Sequence, residues 1–193
     1  FVPMYFEVLR GLSSSQSGLG IMAMSSGTVV GAMISGRVMG FTPHYKRTPM
    51  AGIAFAAVGT AVLATTASDL SLLWFEILLA AIGIGIGTQF PLTTVGVQNA
   101  VSPHEMGTAT ANLNFFRSLG SAVLVSTYGA IFFAGIGGAS GGTATLDALA
   151  AAAAEAGTDL SAVFRLVFYA AATTLALSFL ALVAMKELPL RGR

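Results

Sequence analysis

Five long stretches of this sequence, at about residues 18–39, 49–66, 70–97, 107–133 and 162–185, run almost without charge. Each approaches or exceeds the roughly 20 apolar residues, rising about 1.5 Å apiece, that carry an α-helix across the hydrocarbon of a bilayer. No other feature narrows the fold as far. In lipid only helices and closed barrels satisfy every backbone group, and stretches of this length select helices. Even "IGIGIG" at residues 82–87, whose period-two alternation imitates a strand, lies inside one such run and reads as helix. Residues 1–6 read as the tail of an earlier span, and the sequence opens without a start Met. The expected fold is therefore an all-α membrane bundle of five full transmembrane helices plus the end of a sixth, the later part of a longer chain.

Composition agrees. Charged residues make up 9% and apolar residues 55%, whereas a water-facing surface usually needs about 25% charged residues. The sequence has 23 Gly, many within apolar runs, and no Cys. A net charge of +1 offers no basic patch for a nucleic acid. The connectors sort by charge. Arg37, Lys46 and Arg47 flank the connector after the first span, and Lys186, Arg191 and Arg193 lie beyond the fifth, which puts both basic sets on one face. The excess of basic residues makes that face, and the carboxy terminus, cytoplasmic. Glu7, Arg10, Asp69, Asp147, Glu155 and Asp159 fall on the other face. The long 134–161 connector is then external, a Gly-rich lead followed by a short Ala-rich helix, and serves as a spacer or a lid.

Polar groups within the spans are few enough to weigh one by one. In the fourth span Thr110, Asn114, Arg117, Ser121 and Tyr128 are spaced by four, three, four and seven, which sets them on one helical face. A charge within a span is costly unless it meets water or a partner, so this face should turn toward the bundle or a cavity. Arg117 can snorkel, pin its helix to neighbouring groups, or meet an anionic group of a substrate. Glu76, the one acid inside a span, is a candidate proton carrier or an interfacial carboxylate. Gly83, Gly85, Gly87 and Pro91 predict a kink near residues 89–91. Gly27-xxx-Gly31 and Gly36-xxx-Gly40 suit close helix approach. The second span, nearly free of polar residues, reads as peripheral and lipid-facing, leaving the first, third and fourth as cavity walls. His44 and His104 sit in separate loops with no metal-binding spacing, so no metal, no cofactor and no enzyme activity are expected.

Two passages carry a family resemblance. "SGRVMGFTPHYKR" at residues 35–47 resembles the cytoplasmic Gly-and-basic loop of the major facilitator superfamily, through Gly36, Arg37, Gly40, Lys46 and Arg47 and without that loop's acidic residue. "VQNAVSPHEMGTATANLNFFRSLGSA" at residues 97–122 is similar to a late loop and helix of the fourteen-helix drug:proton antiporter branch. Val97, Gln98, Asn99, Ala100, Val101, Pro103, Gly107, Ala109, Thr110, Phe115, Arg117 and Gly120 stand at matching positions. The resemblance implies the carboxy-terminal half of a proton-coupled exporter of drugs or other small organic molecules. Such a protein sits in the bacterial inner membrane and works by alternating access. Its partners would be the bilayer, substrate, protons and the amino-terminal half of the same chain. Gln89, Asn112, Asn114 and Arg117 are the substrate-cavity candidates, and Glu76 is the proton-coupling candidate. The competing reading is a non-transporting membrane scaffold or partner subunit.

Overall fold

The computed structural model describes residues 1–42, 45–136, 159–185 and 187. His44, Lys186, Arg191, Arg193 and most of the 134–161 connector, with Asp147 and Glu155, lie outside the described residues. The described chain forms α1 (Val2–Arg10), α2 (Ser14–Phe41), α3 (Arg47–Thr66), α4 (Leu72–Gly87) and α5 (Gln89–Ala100). A single 3-10 turn (Pro103–Glu105), α6 (Met106–Gly135) and α7 (Leu160–Ala184) follow. Helix α4 and helix α5 together make one span, Leu72–Ala100, so five segments are long and apolar enough to cross a membrane. Helix α1 packs beside them, where the end of a sixth was expected. No strand occurs among the described residues. The chain is an all-α integral membrane protein, and its surface says so: Met22, Val29, Phe55, Val58, Leu73, Trp74, Leu177 and Leu180 are all more than half exposed. Water would not tolerate so broad an apolar surface.

Local chemistry sets the helix ends. Gly11, at φ 62° in the left-handed region, closes α1 where a side chain would be strained. Ser13 and Gln16 then form a capping box that starts α2, the Gln16 N–H donating to Ser13 Oγ at 3.4 Å and the Ser13 N–H to Gln16 Oε1 at 3.1 Å. Asp159 caps α7, accepting from Ser161 Oγ at 2.7 Å and the Ser161 N–H at 2.9 Å. These bonds hold the Asp159 carboxyl below its ordinary range, the Ser161 hydroxyl counting most. A depressed carboxylate loses its capping contribution only as pH falls through that lowered value, so the cap persists at neutral pH.

Lipid tails are as apolar as leucine, so helices in a bilayer associate by close packing rather than by escape from water. The α2–α4 pair shows how. A Cβ built on Gly27 or Gly31 would overlap the Ala80 or Ile84 carbonyl, and one on Gly83 or Gly87 the Met24 or Thr28 carbonyl. Two helices thus press backbone on backbone through two glycines each. Gly52 and Gly85 repeat the device between α3 and α4. The Gly36–Gly40 pair does not: Gly36 meets only Pro91 Cγ at 4.0 Å, and Gly40 has open space where a Cβ would stand. Four-residue spacing was a correct signal for the first pair and a false one for the second, because α4 has ended before it reaches that level.

Aromatic side chains fill one end of the bundle. Tyr5 and Phe6 of α1, Phe75 of α4, Phe132 of α6, and Phe164 and Phe168 of α7 are all buried, with Tyr5 stacked on Phe75 at 5.2 Å. At this end the Tyr5 hydroxyl and Arg10 Nη2 both donate to the Ala67 carbonyl, at 2.6 and 2.7 Å, and Arg10 also reaches Leu70 O at 2.5 Å. The C-terminus of α3 is thereby capped by α1. At the opposite end Lys46 Nζ donates to the Val183 carbonyl at 2.8 Å and to that of Met185, while the Lys46 N–H donates to Glu187 Oε1 at 3.0 Å. A cation thus serves the exposed carbonyls of α7, and a carboxylate serves the start of α3. Lys46→Met keeps the stem and removes both side-chain bonds. It should cost about 0.5–1 kcal/mol for such exposed partners, read as a melting-temperature drop of about 1–4 °C in detergent.

Candidate functional site

The third span breaks at Thr88, one residue before the expected kink at residues 89–91. Pro91 has no N–H to offer the Gly87 carbonyl, and its ring crowds that carbonyl. Side chains bond to carbonyls at and beside the break. Ser35 Oγ donates to Thr88 O at 2.8 Å, Thr88 Oγ1 donates to Gly85 O at 2.7 Å, and Gln89 Nε2 donates to Pro49 O at 2.8 Å. Beyond the break Gln89 is turned to α3, and Phe90 and Thr93 are turned to α6.

Arg117 meets those two residues. Its Nη2 donates to Thr93 Oγ1 at 3.2 Å, and its guanidinium carbon lies 5.2 Å from the centre of the Phe90 ring. Nearer the loop, Gln98 Nε2 donates to Thr110 Oγ1 at 3.3 Å. At the far end the Tyr128 hydroxyl donates to Thr174 Oγ1 of α7 at 2.9 Å. Thr110, Arg117 and Tyr128 therefore share the edge of α6 that touches the bundle, while Asn114 and Ser121 stand beside it, exposed. Asn112 is placed differently. Two positions from Asn114, it lies across the helix, on the side of exposed Phe115, Phe116 and Leu119.

The five cavity and coupling candidates are not brought together. Gln89 engages α3, Arg117 engages α5, Asn112 and Asn114 point to different sides, and Glu76 is half-buried on α4. Glu76 lies fourteen residues before Phe90, which is about 20 Å along a helical path. Of the loop motif, Gly36, Arg37, Gly40 and Arg47 are exposed, and Lys46 is the residue seen to bridge elements. His104 is exposed in the 3-10 turn. Among the described residues no group of His, Asp or Glu gathers as metal ligands.

Behind this face lies a cavity of about 280 Å³, bounded by Met24, Thr60, Ile82, Leu124, Tyr128 and Thr174 among others, and almost wholly apolar. Its one polar feature bridging helices is the Tyr128–Thr174 pair. Helix α3 corrects its expected role here. It exposes Phe55, Val58 and Val62 on one side, yet gives Thr60 and Leu63 to the cavity wall and packs against both α4 and α7. Sequence reasoning passed over Phe90 and Thr93. Their i, i+3 spacing on either side of Pro91 was the available signal, but only the contacts with Arg117 show which helix they address.

Helix α6 is the least enclosed span. Of the most apolar 18 residues of Pro103–Gly135, 6% are buried, against 39% for Arg47–Thr66. A polytopic helical membrane protein with an internal break in one span and a cation-bearing polar edge on an open helix is the class these observations define. Comparison with known proteins makes it specific. The Major Facilitator Superfamily model matches residues 1–125, and the chain belongs to that superfamily. It is 32% identical over 132 residues to an uncharacterized MFS-type transporter of Mycobacterium tuberculosis (strain H37Rv), covering 68% of this chain and 19% of that protein. It is 28% identical over 131 residues to the multidrug transporter protein MdtP of Bacillus subtilis, covering 68% and 24%. The aspyridones efflux protein of Neocamarosporium betae is 28% identical over 126 residues, covering 65% and 22%. The chain thus spans about a fifth to a quarter of the length of these curated relatives. No solved structure matches it.

Proposed function

We propose that this chain is the carboxy-terminal bundle of a proton-coupled exporter of drugs or other small organic molecules, of the fourteen-helix branch, working by alternating access. The observation that carries the reading is the open polar edge of α6. Asn114, Arg117, Ser118 and Ser121 lie exposed along the border of the strip by which α6 meets α5 and α7. A guanidinium there cannot face lipid without heavy cost, so the edge belongs on water or on a second bundle. A site between two bundles, near the bilayer midplane, is where transporters of this build hold their cargo. The two relatives whose names mention multidrug transport and efflux support the same reading.

In this account the basic end with Lys46 and Arg47 is cytoplasmic, the membrane is a bacterial inner membrane, and the second bundle is the amino-terminal half of the same chain. Glu76 is the acid on this bundle placed to take up protons, far from Arg117 along the membrane normal. The test is efflux from cells expressing the complete reading frame. Dye loss should be driven by the proton gradient, stop on addition of an uncoupler, and fall severalfold in Glu76→Gln. Gradient-independent dye retention equal to that of empty cells, with the protein present in the membrane, supports the scaffold instead.

A further inference from the structure

Arg117 has neutral company. Its contacts among the described residues are one hydroxyl, that of Thr93, and one ring, that of Phe90. A guanidinium carries five N–H donors and stays charged at every physiological pH, so most of its hydrogen-bonding capacity is unspent. Neither α5 nor α6 contains an Asp or a Glu. The acid nearest to them in sequence, Glu105, is occupied by Ser102, whose hydroxyl and N–H it accepts at 2.7 and 3.2 Å. Glu76 is separated from Phe90 by most of α4. The cation thus stands about 16 Å up the axis of α6 from Met106, near the middle of the hydrocarbon, and no carboxylate among the described residues bonds to it. The position is also open, because Arg117 is exposed and the Phe90 ring is 40% exposed beside it.

Resting on the exporter reading, we propose that the missing anion is carried by the cargo: the molecules moved along this face are amphiphilic anions. A carboxylate, sulfonate or phosphate group docks on the guanidinium fork, whose planar pair of N–H groups suits two oxygens at once. The apolar body of the cargo lies along Phe90 and the neighbouring apolar surface of α5 and α6. Thr93 holds the guanidinium in place for that contact. A cationic amphiphile would meet Arg117 as a like charge with no counter-ion nearby, and would be disfavoured.

The experiment compares carboxyfluorescein, an anion, with ethidium, a cation, in cells expressing the complete reading frame with wild-type, Arg117→Gln or Arg117→Lys chains at equal membrane amounts. The expected result is export of carboxyfluorescein by the wild type, at least a tenfold fall in Arg117→Gln with a raised KM, and partial rescue in Arg117→Lys. Ethidium export should be slow in the wild type and should not fall in Arg117→Gln. Where Arg117→Gln does not reach the membrane, competition on the wild type decides: excess cholate should slow carboxyfluorescein export and tetraphenylphosphonium should not. Export of ethidium alone, or an equal loss of both dyes in Arg117→Gln, overturns the inference while leaving the exporter intact. The second pattern would assign Arg117 to an ion pair with another bundle. Export of no dye by the wild type overturns both readings.

Discussion

Gly31→Val is expected to be among the most damaging single changes in this chain. The added Cβ would overlap the backbone carbonyl of Ile84, which cannot rotate aside as a side chain would. Both helices must separate, and with them go the matching contacts at Gly27, Gly83 and Gly87. Overpacking against flexible side chains usually costs about 1–3 kcal/mol, and against rigid backbone the upper end is the starting point. A loss of about 3 kcal/mol is a large part of a typical 5–15 kcal/mol of stability. In purified protein it should lower the melting temperature by about 6–12 °C. The control is Gly96→Ala, whose Cβ meets nothing within 4 Å. It should be neutral or slightly stabilising, since alanine is the better helix former. Equal melting of the two variants would mean that α2 and α4 do not meet through these glycines.

Phe75→Ala should rank with it. Phe75 is 0% exposed and meets Tyr5 at 5.2 Å and Phe6 at 4.8 Å. In a soluble core such a truncation costs about 3–5 kcal/mol. In a membrane the unfolded chain keeps its phenylalanine in apolar surroundings, so the transfer part shrinks and the loss of packing remains. A cost of about 3 kcal/mol follows, at the low end of that range. Leu73, two positions earlier, is 64% exposed and packs little within this bundle, and Leu73→Ala should change stability by less than about 0.5 kcal/mol. Thermal unfolding of the pair in one detergent checks which face of α4 is inside.

The order of elements was legible because one physical demand, about twenty residues of unbroken apolar helix, is local to each span. The break in the third span was legible for the same reason, since Pro91 acts on the Gly87 carbonyl four residues before it. Pairings between distant segments were not. Nothing in "SGTVVGAM" says that its glycines will meet those of "IGIGIG" on another helix, whereas a Cβ added at Gly36 or Gly40 would stand in nearly open space. The Tyr5 and Arg10 bonds to Ala67, and the Lys46 bonds to the end of α7, likewise join residues far apart in sequence. At the candidate site, helical spacing placed Thr110, Arg117 and Tyr128 on one edge of α6. What spacing could not supply was which neighbours α5 meets: Phe90 and Thr93 reach Arg117 of α6, while Gln89 reaches Pro49 of α3.

In the proposed exporter the polar edge of α6 lines an aqueous path and its opposite side meets lipid. These 193 residues hold no cysteine, and the single-cysteine variants are made in a complete protein whose cysteines elsewhere are replaced by serine. Asn114→Cys and Phe116→Cys lie about 3 Å apart in height and on different sides of the helix. In membranes containing the complete protein, Asn114→Cys should react with a hydrophilic, charged thiol reagent and be protected by excess transported dye. Phe116→Cys should react only with a lipophilic maleimide. Equal and unprotected labelling of the two positions, or a silent Asn114→Cys beside a reactive Phe116→Cys, would contradict the account.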